Sequence, residues 1–181
     1  MASFLKSVDL SWSLFLDRDG VINKRNWEGY ILSEDQFEFL EGVQEAISFF
    51  STQVSHIFVV TNQQGIGKGL MTECNLLDIH RYMQTEIEKY GGKISACYFA
   101  PELKSESETL RKPNPGMAWL AQHDFPTIDF QKSIMVGDTD SDIQFGTQLG
   151  MKTVRIRSAE KKTIEADLEV DSLLELAHLW K

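Results

Sequence analysis

Two carboxylates one residue apart, Asp17 and Asp19, stand in the segment Asp17-Arg18-Asp19-Gly20. Three more segments follow: Thr61-Asn62-Gln63, Arg111-Lys112-Pro113 and Gly137-Asp138-Thr139-Asp140-Ser141-Asp142. Together they supply a pair of acids, a hydroxyl, an ammonium and an acidic cluster. A carboxylate such as Asp17 can attack phosphorus and split one hard displacement into two easier ones. A second acid beside it, Asp19, can protonate the leaving oxygen and then take a proton from the hydrolytic water. Asp138, Asp140 and Asp142 offer oxygen ligands to a hard cation. Mg²⁺ is usually held by one or two carboxylates plus waters and phosphate, so Asp17 with one of these suffices, and Asp138 has the strand-end position. The metal would offset repulsion between a carboxylate nucleophile and a phosphate dianion. Thr61, Asn62 and the glycines of Gln64-Gly65-Ile66-Gly67-Lys68-Gly69 can present a hydroxyl and N–H groups to phosphate oxygens. Lys112, in a restricted segment before a proline, can aim its ammonium at the same phosphate. These residue types suit metal-assisted removal of a phosphoryl group from a small molecule.

Each segment alone has a plainer reading. Asp17 to Gly20 can be an acidic turn, and Asp138 to Asp142 a solvated cap of the next helix. Thr61 can simply end a strand, and Lys112 can be a loop lysine in water. Other chemistries are excluded more firmly. An EF-hand needs Gly at loop position six, where Ile22 and Ile143 stand, and a Walker A loop needs Ser or Thr where Gly69 stands. His56, His80, His123 and His178 form no i,i+4 pair, and no G-x-S-x-G elbow exists.

The elements that must position these groups alternate in type. Apolar runs at Trp12–Leu16, His56–Val60, Ile94–Phe99, Ser133–Val136 and Thr153–Ile156 read as strands. Between them, helical spacing runs from Glu41 to Phe50 and from Thr72, as N-cap, to Gly91-Gly92. Further helices are expected from Pro115 to Ala121, from Asp142 to Leu149, and from Asp171 onward, the last with Leu173, Leu176, Ala177 and Trp180 inward. This β-α alternation predicts a three-layer, Rossmann-like α/β fold, a parallel sheet with helices on both faces. Asp17, Thr61 and Asp138 then follow strands directly and meet at the carboxyl edge, where ligands bind in such sheets. Residues 23–36, holding Trp27, Gly29 and Tyr30, lack a clean period and are read as a flap over the site.

At 181 residues the chain is expected to form one domain, 1–181, with a full core. The net charge of −9 argues against a nucleic-acid partner. A local cluster of cations can still hold an anionic metabolite. Cys74 and Cys97 have no metal-binding spacing and read as reduced thiols. The N-terminus shows no signal-peptide pattern and no apolar run reaches membrane-spanning length, so a cytoplasmic protein with no membrane partner is expected.

Across almost its whole length the chain resembles the haloacid dehalogenase (HAD) superfamily of phosphatases. Within it, the chain is most similar to the branch that holds heptose bisphosphate and histidinol-phosphate phosphatases. Asp17 to Asn23, Thr61-Asn62-Gln63, Arg111 to Met117 and Gly137-Asp138 carry the likeness. The resemblance implies Asp17 as nucleophile, Asp19 as general acid/base, and Thr61, Asn62 and Lys112 on the phosphate. It implies Mg²⁺ on Asp17, the Asp19 carbonyl and Asp138, with Asp142 supporting the metal or orienting Lys112. Arg111 and Gln63 are implied as substrate contacts, and no large cap domain is expected. Gly65 to Gly69, and the run from Tyr30 to Val43, are more similar to the heptose side.

Alternatives are a histidinol phosphate or another monoester, a polynucleotide 3′-phosphatase, and a non-catalytic binding module. Many members hold a structural zinc in the loop before Arg-Lys-Pro. The corresponding positions in 100–112 fall near Ala100, Glu102, Glu108 and Leu110, which cannot build that site, so no zinc is expected. Thr139 is a smaller departure, standing where many members have Lys or Arg. A monomer or small homo-oligomer is expected.

Overall fold

A computed structural model describes residues 3–106 and 110–181; Met1, Ala2 and the zinc-loop position Glu108 lie outside them. Six parallel strands form one sheet in the order β3-β2-β1-β4-β5-β6. They are β1 (Ser13–Leu16), β2 (His56–Asn62), β3 (Ala96–Ala100), β4 (Ser133–Gly137), β5 (Lys152–Ile156) and β6 (Leu168–Val170). The helices are α1 (Val43–Phe50), α2 (Gln64–Gly67), α3 (Glu73–Glu88), α4 (Gly116–Asp124), α5 (Asp140–Gln148) and α6 (Leu173–Trp180).

The strands are apolar on both faces because both faces are covered. In β1, Leu14 and Leu16 join one core with residues of α1, α3 and α6, while Phe15 points into a second core with Met117, Ala121 and Phe145 of α4 and α5. The three layers expected from the sequence are therefore present. No large cap interrupts the sheet among the described residues, and no described helix is long and apolar enough to cross a membrane.

From β1 the chain builds outward through β2 to β3, then returns to place β4 on the other side of β1. Strand order reverses there, so the ends of β1 and β4 flank the crevice where such sheets bind ligands. Asp17 follows β1 and Asp138 follows β4.

Several boundaries differ from the sequence reading. The short strand β6 was not anticipated, because three residues carry too little periodicity to register. Glycine-rich Gln64–Gly67 forms a single helical turn, an element the sequence reading did not assign. Helix α5 begins at Asp140, capped by Thr139, so Asp140 and Asp142 lie in its first turn. Ser172 caps α6, accepting from the Glu175 N–H; the expectation for α3 holds, since Thr72 and Asn75 form a reciprocal cap.

Candidate active site

The ends of β1, β2 and β4 and the Arg111-Lys112 segment gather Asp17, Asp19, Thr61, Gln63, Lys112, Asp138 and Asp142. Most of them line a cavity of about 940 Å³ whose wall also holds Arg25, Tyr30 and Arg111. Asp17, Lys112, Asp138 and Asp142 are all buried. Charges this deep persist only when paired.

Lys112 provides the pairing. Its ammonium lies 2.7 Å from Asp17 Oδ1, 2.6 Å from the Val60 carbonyl and 2.7 Å from Asp142 Oδ1. Three acceptors take all three of its protons. The Lys112–Pro113 peptide is cis. Asn62 holds this segment in place: its Oδ1 accepts from the Lys112 backbone N–H at 2.9 Å, and its Nδ2 donates to the Lys112 carbonyl at 3.3 Å. The Asn62 side chain is thus bound to the Lys112 backbone rather than pointed freely at a ligand.

The acids divide by environment. Burial raises Asp17 to about 6, with the Lys112 charge opposing and Asp142 and Asp19 adding to the rise. Burial and the Asp17 charge push Asp138 up to about 8 against the pull of Arg25. Asp142 goes the other way. Burial opposes its ionisation, but Lys112 and the Thr139 N–H and hydroxyl hold it below the usual carboxylate range. Asp19 is also held low despite burial, because Arg18 lies 3.0 Å from both its oxygens and Asn23 and Gln63 each donate to it. Asp140, one of the three possible oxygen ligands, faces away to Arg155, Thr163 and Ile164.

The donor set fits a hard divalent cation. Oxygens of Asp17, Asp138 and Asp142 lie within 4.8 Å of one another. Asp142 is occupied by Lys112 and Thr139, and Asp138 Oδ1 accepts from Arg25 at 2.8 Å. Asp138 Oδ2 is buried and has no partner among the described residues, an orphan that a cation would satisfy. A Cβ on Gly20 would stand 2.4 Å from that same oxygen, so a side chain there would fill the space.

Arg111 lines the cavity with Nη1 buried and unpartnered among the described residues. The loop before it closes on itself through Glu102 Oε1, which accepts from the Leu110 N–H at 3.1 Å. It is also tied to α2, where the Gly67 N–H donates to the Pro101 carbonyl at 3.1 Å. Sequence reasoning missed the donors that hold the acids: Arg18 and Asn23 on Asp19, and Arg25 on Asp138. Arg18 is wholly buried, yet nothing in its spacing separates it from a surface arginine.

A parallel sheet that gathers buried acids and a lysine at its switch point defines a HAD-like hydrolase, and the HAD-hydrolase-like family model matches residues 109–176. The D-glycero-alpha-D-manno-heptose-1,7-bisphosphate 7-phosphatase of Mycobacterium tuberculosis (strain ATCC 25618 / H37Rv) is 37% identical over 173 residues, 92% of this chain and 90% of the relative. The D-glycero-beta-D-manno-heptose-1,7-bisphosphate 7-phosphatase of Vibrio cholerae is 32% identical over 179 residues, covering 92% of this chain and 94% of that one. Among solved structures, the D,D-heptose 1,7-bisphosphate phosphatase of B. bronchiseptica, complexed with magnesium and phosphate, superposes with a TM-score of 0.84. It is 26% identical, covering 93% of this chain and 97% of that chain. The chain belongs to the D-glycero-D-manno-heptose-1,7-bisphosphate 7-phosphatase family of HAD-like phosphatases.

Proposed function

We propose that this protein is a Mg²⁺-dependent phosphatase that releases the 7-phosphate of D-glycero-D-manno-heptose 1,7-bisphosphate, with Asp17 as nucleophile. The observation that carries the reading is the buried Lys112 ammonium joining Asp17 to Asp142 beside the orphaned Asp138 oxygen. Relatives named for the α anomer reach 37% identity over 92% of the chain, against 32% over the same share for a relative named for the β anomer. We therefore take the α anomer as substrate.

Asp17, the Asp19 carbonyl and Asp138 would hold the ion, which when bound neutralises phosphate charge and lets an anionic nucleophile approach. Thr61 gives its hydroxyl to a phosphate oxygen, and Arg111 contacts the sugar phosphate beyond the reacting group. An Asp17 carboxylate oxygen forms a bond to phosphorus as the bond to the sugar oxygen breaks. Asp19 gives a proton to that leaving oxygen, then takes one from the water that cleaves the aspartyl phosphate. Charge from the incoming phosphate opposes Asp19 ionisation, which supplies the acid form that the resting hydrogen bonds disfavour. Lys112 steadies Asp17 before transfer and lies beside the phosphoryl group afterwards. Of the segment 23–36, residues 25–31 line the cavity and form the flap.

The test is phosphate release with Mg²⁺, with and without chelator. The panel holds both heptose bisphosphate anomers, histidinol phosphate, a hexose phosphate and a 3′-phosphorylated oligonucleotide. Chelator-sensitive release, fastest from the α anomer, is expected. Faster turnover of histidinol phosphate or the oligonucleotide would replace the substrate.

A further inference from the structure

Gln63 lines the cavity yet is only 2% exposed, and its amide nitrogen is committed to two neighbours. Nε2 donates to Asp19 Oδ2 at 2.9 Å and to Thr61 Oγ1 at 2.9 Å. In the resting site, where Arg18 and Asn23 help hold Asp19 ionised, the carboxylate only accepts and so must face the NH₂ end of the amide. The Thr61 hydroxyl therefore receives a hydrogen bond from a group that cannot accept one. A hydroxyl has a single proton, and that proton is left for another acceptor.

We propose that Gln63 is a positioning residue which sets the polarity of the Thr61 hydroxyl, turning its proton toward the phosphate, while its second N–H fixes the Asp19 carboxylate. This role uses only the amide nitrogen and is separate from the substrate contact expected of Gln63 from the sequence. One NH₂ group joins the residue that binds the phosphate to the residue that moves the proton. Arg18 and Asn23 grip Asp19 from its other sides, so Gln63 is the clamp member that reaches Thr61. Without it the hydroxyl rotor is free to donate elsewhere, and part of the phosphate's hydrogen bonding is lost before any chemistry occurs. The inference rests on the proposed roles of Thr61 and Asp19.

A double-mutant cycle on the full chain tests it, read as the Kd of inorganic phosphate by calorimetry with saturating Mg²⁺. Gln63→Met keeps the length of the side chain and removes both donors. It is expected to weaken phosphate about 3- to 10-fold, the range for one lost hydrogen bond. In a Thr61→Val background, with no hydroxyl left to orient, the same change is expected to cost nothing further. An equal loss in both backgrounds, or no loss in either, overturns the proposal. If Gln63→Met does not fold, a neutron structure of the wild-type protein with Mg²⁺ and inorganic phosphate decides the point. The Thr61 deuteron is expected on the phosphate side, and a deuteron directed at Gln63 overturns the proposal. Phosphate binding is measured without turnover, so failure of the heptose substrate and failure of this inference are read separately.

Discussion

The Lys112 ammonium donates to Asp17 Oδ1 at 2.7 Å across 95 positions of chain. The contact is buried, and the same ammonium reaches Asp142 Oδ1. Removing one member of a buried ion network strands the others, which is costlier than the network is worth. Lys112→Met is expected to destabilise the protein by about 3–5 kcal/mol at pH 8, where the acids would ionise unpaired. At pH 5 the acids can protonate instead, so the loss should shrink. Urea unfolding at the two pH values checks this; equal losses would mean that the ammonium does not hold these charges.

Asp17→Asn should eliminate turnover and leave the fold in place, because the amide oxygen can still accept from Lys112, whose charge stays paired with Asp142. Asp19→Asn should slow turnover by roughly 10²–10⁴-fold, the usual worth of a general acid/base. Phosphate release under Mg²⁺ measures both. Substantial activity in Asp17→Asn would remove it as nucleophile, and an unchanged rate in Asp19→Asn would move the proton to another group.

Gly20 has φ +93°, and a Cβ there would meet Asp138 Oδ2 at 2.4 Å. Gly20→Ala is therefore strained and displaces the carboxylate we assign to the metal. Mg²⁺ affinity should fall about 10–100-fold, as when the support of a ligand is disturbed. Calorimetric titration reads it directly. Unchanged affinity would take Asp138 out of the metal site.

His80 lies buried in α3, with neither ring nitrogen partnered among the described residues. Burial, and then the Arg18 charge, pushes it down to about 3. A depressed folded value means that the unfolded chain takes up the proton first. The stability contributed by the neutral ring is intact above about pH 6.5 and is lost as pH falls, by about 1.4 kcal/mol per unit. Asp17 and Asp138, raised to about 6 and about 8, act in the opposite sense and favour the fold at lower pH. Comparison with His80→Leu isolates the histidine. Below pH 6.5 the wild type should lose stability relative to the variant, and parallel curves would show that the ring titrates normally.

Much of the fold was legible because its signals are local. Both-face burial makes β1, β2 and β4 continuous apolar runs, and Thr72 as N-cap marks the start of α3. Strand β6 escaped because Leu168–Val170 has neither the length nor the composition to stand apart from a loop. The acids and the lysine were legible by type, and the strand-end positions of Asp17, Thr61 and Asp138 placed them together. Their partners were not. Nothing in Asn62 foretells that it binds the Lys112 backbone, nor in Gln63 that its amide joins Asp19 to Thr61.

By itself, then, the sequence determined the alternation of strands and helices, the chemical groups at the strand ends, and the class of reaction they suit. Each of these depends on residue type and short-range spacing. Only the tertiary structure decided which oxygen each donor meets. Strand order sets β4 beside β1, which brings Asp138 to Asp17, and the segment after β3 carries Lys112 back beneath both. Hydrogen bonds act over about 3 Å and discriminate by angle. Contacts between residues 95 positions apart therefore exist only once the whole sheet has set their distance.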